Sequence, residues 1–106
     1  VRKTVGVESQ LKKVIDNLKG IEKALIYGSY AKDAMRADSD IDLLVVGNRE
    51  GEDALVNEIS AMEKNFGRDI NYKFYDKKDF GQRCKGKDPF IMEVLSDKYL
   101  LLKGTL

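Results

Sequence analysis

The sequence predicts an α/β fold (α+β in its mixed connectivity), with helices packed on a mixed sheet, and three observations carry that prediction. Two short, mostly apolar runs, IEKALIY (21–27) and IDLLVV (41–46), have the length and content of buried strands. A third run, DINYKFY (69–75), alternates, with Ile70, Tyr72 and Phe74 on one face and Asp69, Asn71, Lys73 and Tyr75 on the other. Around these runs, apolar residues recur at helical spacing. The 106 residues are read as one domain, an N-terminal helix over 1–20 and a core over 21–104.

In chain order, Val7, Leu11, Val14, Ile15 and Leu18 mark a helix that stops at Gly20. The strand 21–27 then ends at a Gly28-Ser29 turn, and SYAKDAM allows one or two helical turns before the loop RADSD. The strand 41–46 is so continuously apolar that it should be central and covered on both faces. GNREGED (47–53) is expected as a loop, followed by an amphipathic helix through Leu55, Ile59, Met62 and Phe66 to Gly67. After the alternating strand, Asp76 suits the N-cap of a short helix carrying Phe80 and Cys84. Asp88-Pro89 starts another, with Phe90, Ile91, Val94 and Leu95 inward, and KYLLLK (98–103) reads as the last strand.

Composition narrows the chemistry. The chain is 42% hydrophobic and 35% charged, as in soluble globular proteins. No apolar run approaches the roughly 18 residues of a membrane span, and the first residues lack the apolar core of a signal peptide. A cytoplasmic location with no membrane anchor is therefore expected. Val1 leaves open a trimmed methionine, an alternative start or a fragment of a longer chain. Lys plus Arg is 19 against 18 Asp plus Glu, so there is no general pull toward nucleic acid, and direct nucleic-acid binding is not expected. Cys84 is the only cysteine and there is no histidine, which excludes thiolate clusters, His triads and His metal ligands. Enzymatic chemistry would fall to carboxylates and hydroxyls, most simply with an oxygen-loving metal.

Asp40 and Asp42 stand at the mouth of the second strand. Residues two apart share a face, so their carboxylates project together while Ile41 and Leu43 turn the other way. Two adjacent carboxylates repel unless a cation or several donors lie between them, and an oxygen-rich pair suits Mg²⁺ or Mn²⁺ with substrate phosphates. The plainer reading is a solvated strand end, with Asp38, Ser39 and Asp40 as turn residues. Upstream, Gly28 lets backbone approach a phosphate, and the Ser29 hydroxyl can donate to it or cap the turn.

The segment GSYAKDAMRADSDIDLLVV resembles the Gly-Ser, then Asp-x-Asp signature of the nucleotidyltransferase superfamily that shares the DNA polymerase β palm. It looks most like the minimal nucleotidyltransferases. The C-terminal part, GRDINYKFYDKKDF, KDPFIMEVL and YLLLKG, is similar to a branch often fused behind a winged-helix domain. The likeness runs from Ile21 to Gly104.

The resemblance implies a palm-like mixed sheet and a set of roles. Gly28 and Ser29 hold the triphosphate of a nucleotide, most simply ATP, and Asp40 and Asp42 bind Mg²⁺ (or Mn²⁺). An acceptor hydroxyl attacks the α-phosphorus and pyrophosphate leaves. Lys32 stands where relatives often carry a basic residue and is a candidate phosphate contact, with a solvated lysine as the alternative; Arg36 is a weaker candidate. Active relatives add a third carboxylate on the next strand, and here Asn71 occupies that place. Asn71 can ligate a metal through its carbonyl but is no base. Asp69, about 7 Å earlier on that strand, is the alternative catalytic carboxylate.

Among minimal relatives the familiar partner is a small helical HEPN protein in a toxin–antitoxin pair, which implies a candidate protein partner. The competing reading is a nucleotide-binding or regulatory module that retains the fold without turnover. Tyr27, Tyr30 and Tyr75 are candidate stacking partners for a base, and the sequence does not choose among them. Tyr72, Phe74 and Phe90 read as core aromatics, Cys84 as a core-edge thiol, and Lys85 and Lys87 as a solvated turn.

Overall fold

The computed structural model describes residues 2–32 and 40–105. The two most apolar runs form the inner strands, β1 (Ile21–Tyr27) and β2 (Ile41–Gly47). They are flanked by β3 (Ile70–Tyr75) beside β2 and β4 (Leu100–Lys103) beside β1, in the order β3-β2-β1-β4. β1 pairs antiparallel with β2 and β4, whereas β2 and β3 are parallel. A parallel pair needs a long crossover, and the helix α3 (Arg49–Phe66) supplies it. The other helices are α1 (Arg2–Asn17), the short α2 (Gly28–Lys32), α4 (Lys77–Lys85) and α5 (Pro89–Ser96). This is the mixed α/β sheet that the sequence predicts.

The sheet is covered on both faces. On one, Ile26, Leu43, Val45 and Ile70 pack with Leu11 and Ile15 of α1 and Leu55 and Met62 of α3. On the other, Leu25, Leu44 and Val46 meet Phe80 of α4 and Ile91 and Val94 of α5. The alternation of β2 thus sends Ile41 and Leu43 to the α1/α3 side and leaves Asp42 on the α4/α5 side. Each fully buried leucine, such as Leu43 or Leu44, contributes roughly 1.5–3 kcal/mol.

Several boundaries differ from expectation, among them β2, which runs on to Gly47. Residues 49–53 are helix rather than loop, because the Asn48 side chain accepts from Gly51 N–H (2.9 Å) and starts α3 early. Gly51 is also buried against the Gly20 carbonyl, where any side chain would collide, so a glycine that reads as a loop residue is a packing residue. β3 starts at Ile70, one residue late, since Asp69 meets β2 only through its carbonyl, which accepts from Ile41 N–H (2.9 Å). β4 starts at Leu100, because Asp97 accepts from Lys98 N–H (2.8 Å) and turns the chain there. The expected caps at Gly67, Asp76 and Asp88 are all present.

Asp88 does more than cap. Its carboxylate accepts from Phe90 N–H (2.9 Å), Ile91 N–H (3.2 Å) and Arg83 Nη1 (2.9 Å). The Ile91 N–H first, then Arg83 and the Phe90 N–H, hold its pKa below the ordinary 3.8. A depressed carboxylate stabilises the fold above its unfolded pKa, and that contribution disappears as pH falls through the folded value. Asp88→Asn should therefore flatten the acid limb of Tm against pH below about 3.8. Thermal melts from pH 2 to 6 check this, and parallel acid limbs for both proteins would refute it.

Candidate active site

Register builds the site. Tyr27, Asp42 and Asn71 form one row across β1, β2 and β3, and Asp40 lies one residue before β2. The Asn71 Nδ2 donates to Asp42 Oδ1 (3.2 Å) and, at a longer 3.5 Å, to Asp40 Oδ2. One amide thus bridges both carboxylates, and its N–H groups offset their repulsion. Asp42 is half-buried, while Asp40 and Asn71 are exposed.

On the other side of Asp42 lies Gly28, with φ at +77°. A Cβ built there would stand 2.5 Å from Asp42 Oδ2. The glycine therefore does two things, adopting a left-handed conformation and leaving the space that the aspartate carboxylate fills. Ser29 is exposed at the first turn of α2. An anion there would rest on backbone N–H groups and the Ser29 hydroxyl.

Lys32 turns away from this centre. Its Nζ lies 2.8 Å from Asp97 Oδ2 beyond the end of α5. The hydrogen bond from Lys32 and then the Lys98 N–H lower the Asp97 pKa, and Asp97 in turn raises that of Lys32. Beside Gly28 opens a cleft of about 200 Å³, lined by Tyr27, Lys32, Phe90, Val94 and Asp97 among others. Tyr27 packs edge-on against Phe90 at 5.6 Å between centroids. Burial first, then the Asp42 charge and Tyr75, raise the Tyr27 pKa, so its hydroxyl keeps its proton at neutral pH.

The Asp69 carboxylate is exposed, and no hydrogen bond among the described residues joins it to Asp40 or Asp42. Arg36, Asp38 and Ser39 lie outside the described residues. Tyr30 is 1% exposed and stacked under the Arg68 guanidinium, so burial removes it as a base-stacking partner. Cys84 sits at the core edge as expected, whereas Tyr72 and Phe74, read as core aromatics, are only partly buried against the core. The sequence reading missed Lys73, whose ammonium lies 5.7 Å from the Phe90 ring centroid. The alternation that put Lys73 on the face of Asn71 was the available signal.

Among the described residues no three His, Cys, Asp or Glu side chains converge as a metal cluster. The donor set is two carboxylates and an amide. Both carboxylates reach one small donor atom, so a small hard cation in that place fits the span and the oxygen chemistry, provided Asn71 turns its carbonyl inward.

The profile of the family described as Polymerase beta, Nucleotidyltransferase matches residues 9–104. The chain belongs to the polymerase β nucleotidyltransferase family. Members of this family generally use divalent metals. Solved structures agree on the fold. A mutant of the MntA–HpeT toxin–antitoxin matches with TM-score 0.61 and 17% identity, covering 92% of this chain and 72% of that one. A second mutant of that pair gives TM-score 0.58 and 17% identity, over 92% and 73%. A toxin–antitoxin with AMP-PNP gives 0.57 and 16%, over 92% and 73%. At these identities the likeness shows the fold alone. No curated protein matches the sequence. No helix among the described residues is long and apolar enough to cross a membrane.

Proposed function

We propose that this nucleotidyltransferase binds Mg²⁺ (or Mn²⁺) with a nucleoside triphosphate, most simply ATP, and transfers AMP to an acceptor hydroxyl. The carrying observation is Asp42, held between Gly28 on β1's end and Asn71 on β3, with Asp40 on the same amide. Asp40 and Asp42 hold the metal, with Asn71 as a third, neutral oxygen donor. When bound, the metal supplies charge neutralisation on the phosphates. Gly28 and Ser29 hold the triphosphate through backbone N–H groups and the hydroxyl, which fixes the α-phosphorus for in-line attack. The acceptor oxygen bonds to that phosphorus, the bond to the bridging oxygen of the β-phosphate breaks, and pyrophosphate leaves. Asp69, whose backbone carbonyl accepts from the Ile41 N–H beside Asp40 and whose carboxylate is exposed, is the residue assigned to take the acceptor's proton.

The toxin–antitoxin neighbours, one of them with AMP-PNP, support a protein partner and an adenine nucleotide. A HEPN-type toxin offering the acceptor hydroxyl fits this reading. A second reading, a nucleotide-binding regulatory module, draws on Asn71, which balances the aspartates without adding a base.

Asp42→Asn tests the enzyme. Pyrophosphate release from ATP in the presence of Mg²⁺ and an acceptor-bearing lysate should fall roughly 10²–10³-fold. Unchanged release would remove Asp42 from catalysis, and nucleotide binding without release in the native chain would favour the regulatory module.

A further inference from the structure

A Mg²⁺–triphosphate seated on two aspartates leaves excess negative charge that the surrounding protein must meet. The cation expected from sequence, Lys32, is committed to Asp97 at 2.8 Å. Arg83 is committed to Asp79 (3.1 Å) and Asp88 (2.9 Å). Lys73 differs from both. It follows Asn71 by two residues on the same sheet face, about 7 Å along the strand, and pairs in register with Leu44 as Asn71 does with Asp42. Among the described residues it makes no ion pair. Its ammonium rests over Phe90, and Phe90 in turn meets Tyr27, the cross-strand neighbour of Asp42. The aromatic face positions the cation without neutralising it, and its exposure keeps it available.

We propose that Lys73 is the phosphate-binding cation of this site, held ready by Phe90 to contact the triphosphate of the nucleotide. This rests on the reading of Asp40 and Asp42 as a metal–nucleotide site. It assigns to β3 the role that the family resemblance implied for Lys32. A lysine suits the task as a compact point charge, whereas a neutral side chain cannot replace it.

The test is calorimetric titration of Mg²⁺–AMP-PNP into the native chain and into Lys73→Met, Lys73→Arg and Asp42→Asn. Methionine keeps an apolar stem on Phe90 and removes only the charge. Lys73→Met should weaken AMP-PNP binding roughly 10- to 100-fold, and Lys73→Arg should restore most of it. Native affinity in Lys73→Met, with binding lost in Asp42→Asn, would overturn the role of Lys73 and leave the site reading intact. A lowered Tm with native affinity would likewise reduce Lys73 to a packing residue. No binding by the native chain would overturn both.

Discussion

Gly28→Ala should lose nucleotide binding as well as stability, and a second glycine separates the two effects. Alanine at φ +77° costs about 1–2 kcal/mol of backbone strain. Its Cβ would also stand 2.5 Å from Asp42 Oδ2, so the carboxylate must leave the place where Asn71 meets it. Gly67 is the control. It has φ +65°, yet a Cβ there meets nothing within 4 Å. Gly67→Ala should therefore lower Tm by several degrees and keep Mg²⁺–AMP-PNP affinity, since strain of about 1 kcal/mol shifts a chain of this size by about 4–8 °C. Gly28→Ala should lower Tm comparably and weaken affinity at least ~10-fold, because Asp42, the proposed metal ligand, would lose its geometry. Equal affinities in the two variants would show that Asp42 does not need its place beside Gly28.

Asn71→Asp should turn a site that is balanced without metal into one that demands it. The amide nitrogen now donates to both aspartates at 3.2 and 3.5 Å. A carboxylate in its place removes those donors and adds repulsion of about 1 kcal/mol per close pair even at a water-like dielectric. The metal-free Tm should fall. Adding Mg²⁺ or Mn²⁺ should then raise Tm by more than in the native chain, with metal affinity at least ~10-fold higher, since charge count tunes such sites. Melts with and without metal read both effects. An unchanged metal-free Tm together with an unchanged metal response would place Asn71 outside the metal site.

Much of this was legible along the chain because it depends on local pattern. The apolar runs of β1 and β2, the alternation of β3 and the caps at Gly67, Asp76 and Asp88 are properties of neighbouring residues, and each appears where expected. The misread segment, 49–53, failed for a non-local reason. Gly51 reads as a loop residue in sequence, but it is the small residue that lets α3 start against the Gly20 carbonyl. Tyr30 failed similarly, since a tyrosine after a turn carries no local sign of being 1% exposed.

By itself, then, the sequence determined the strands and helices, the absence of histidine chemistry, and the two aspartates on one face beside a Gly-Ser turn. These follow from side-chain periodicity and composition, which act over a few residues. Only the tertiary structure decided what meets what. Parallel pairing of β2 with β3 set Asn71 against Asp42, the left-handed Gly28 made room for that carboxylate, and α5 drew Lys32 to Asp97 while Phe90 took Lys73. Those contacts join residues up to 65 positions apart, and the register and packing that create them act through space, where no short window of sequence reaches.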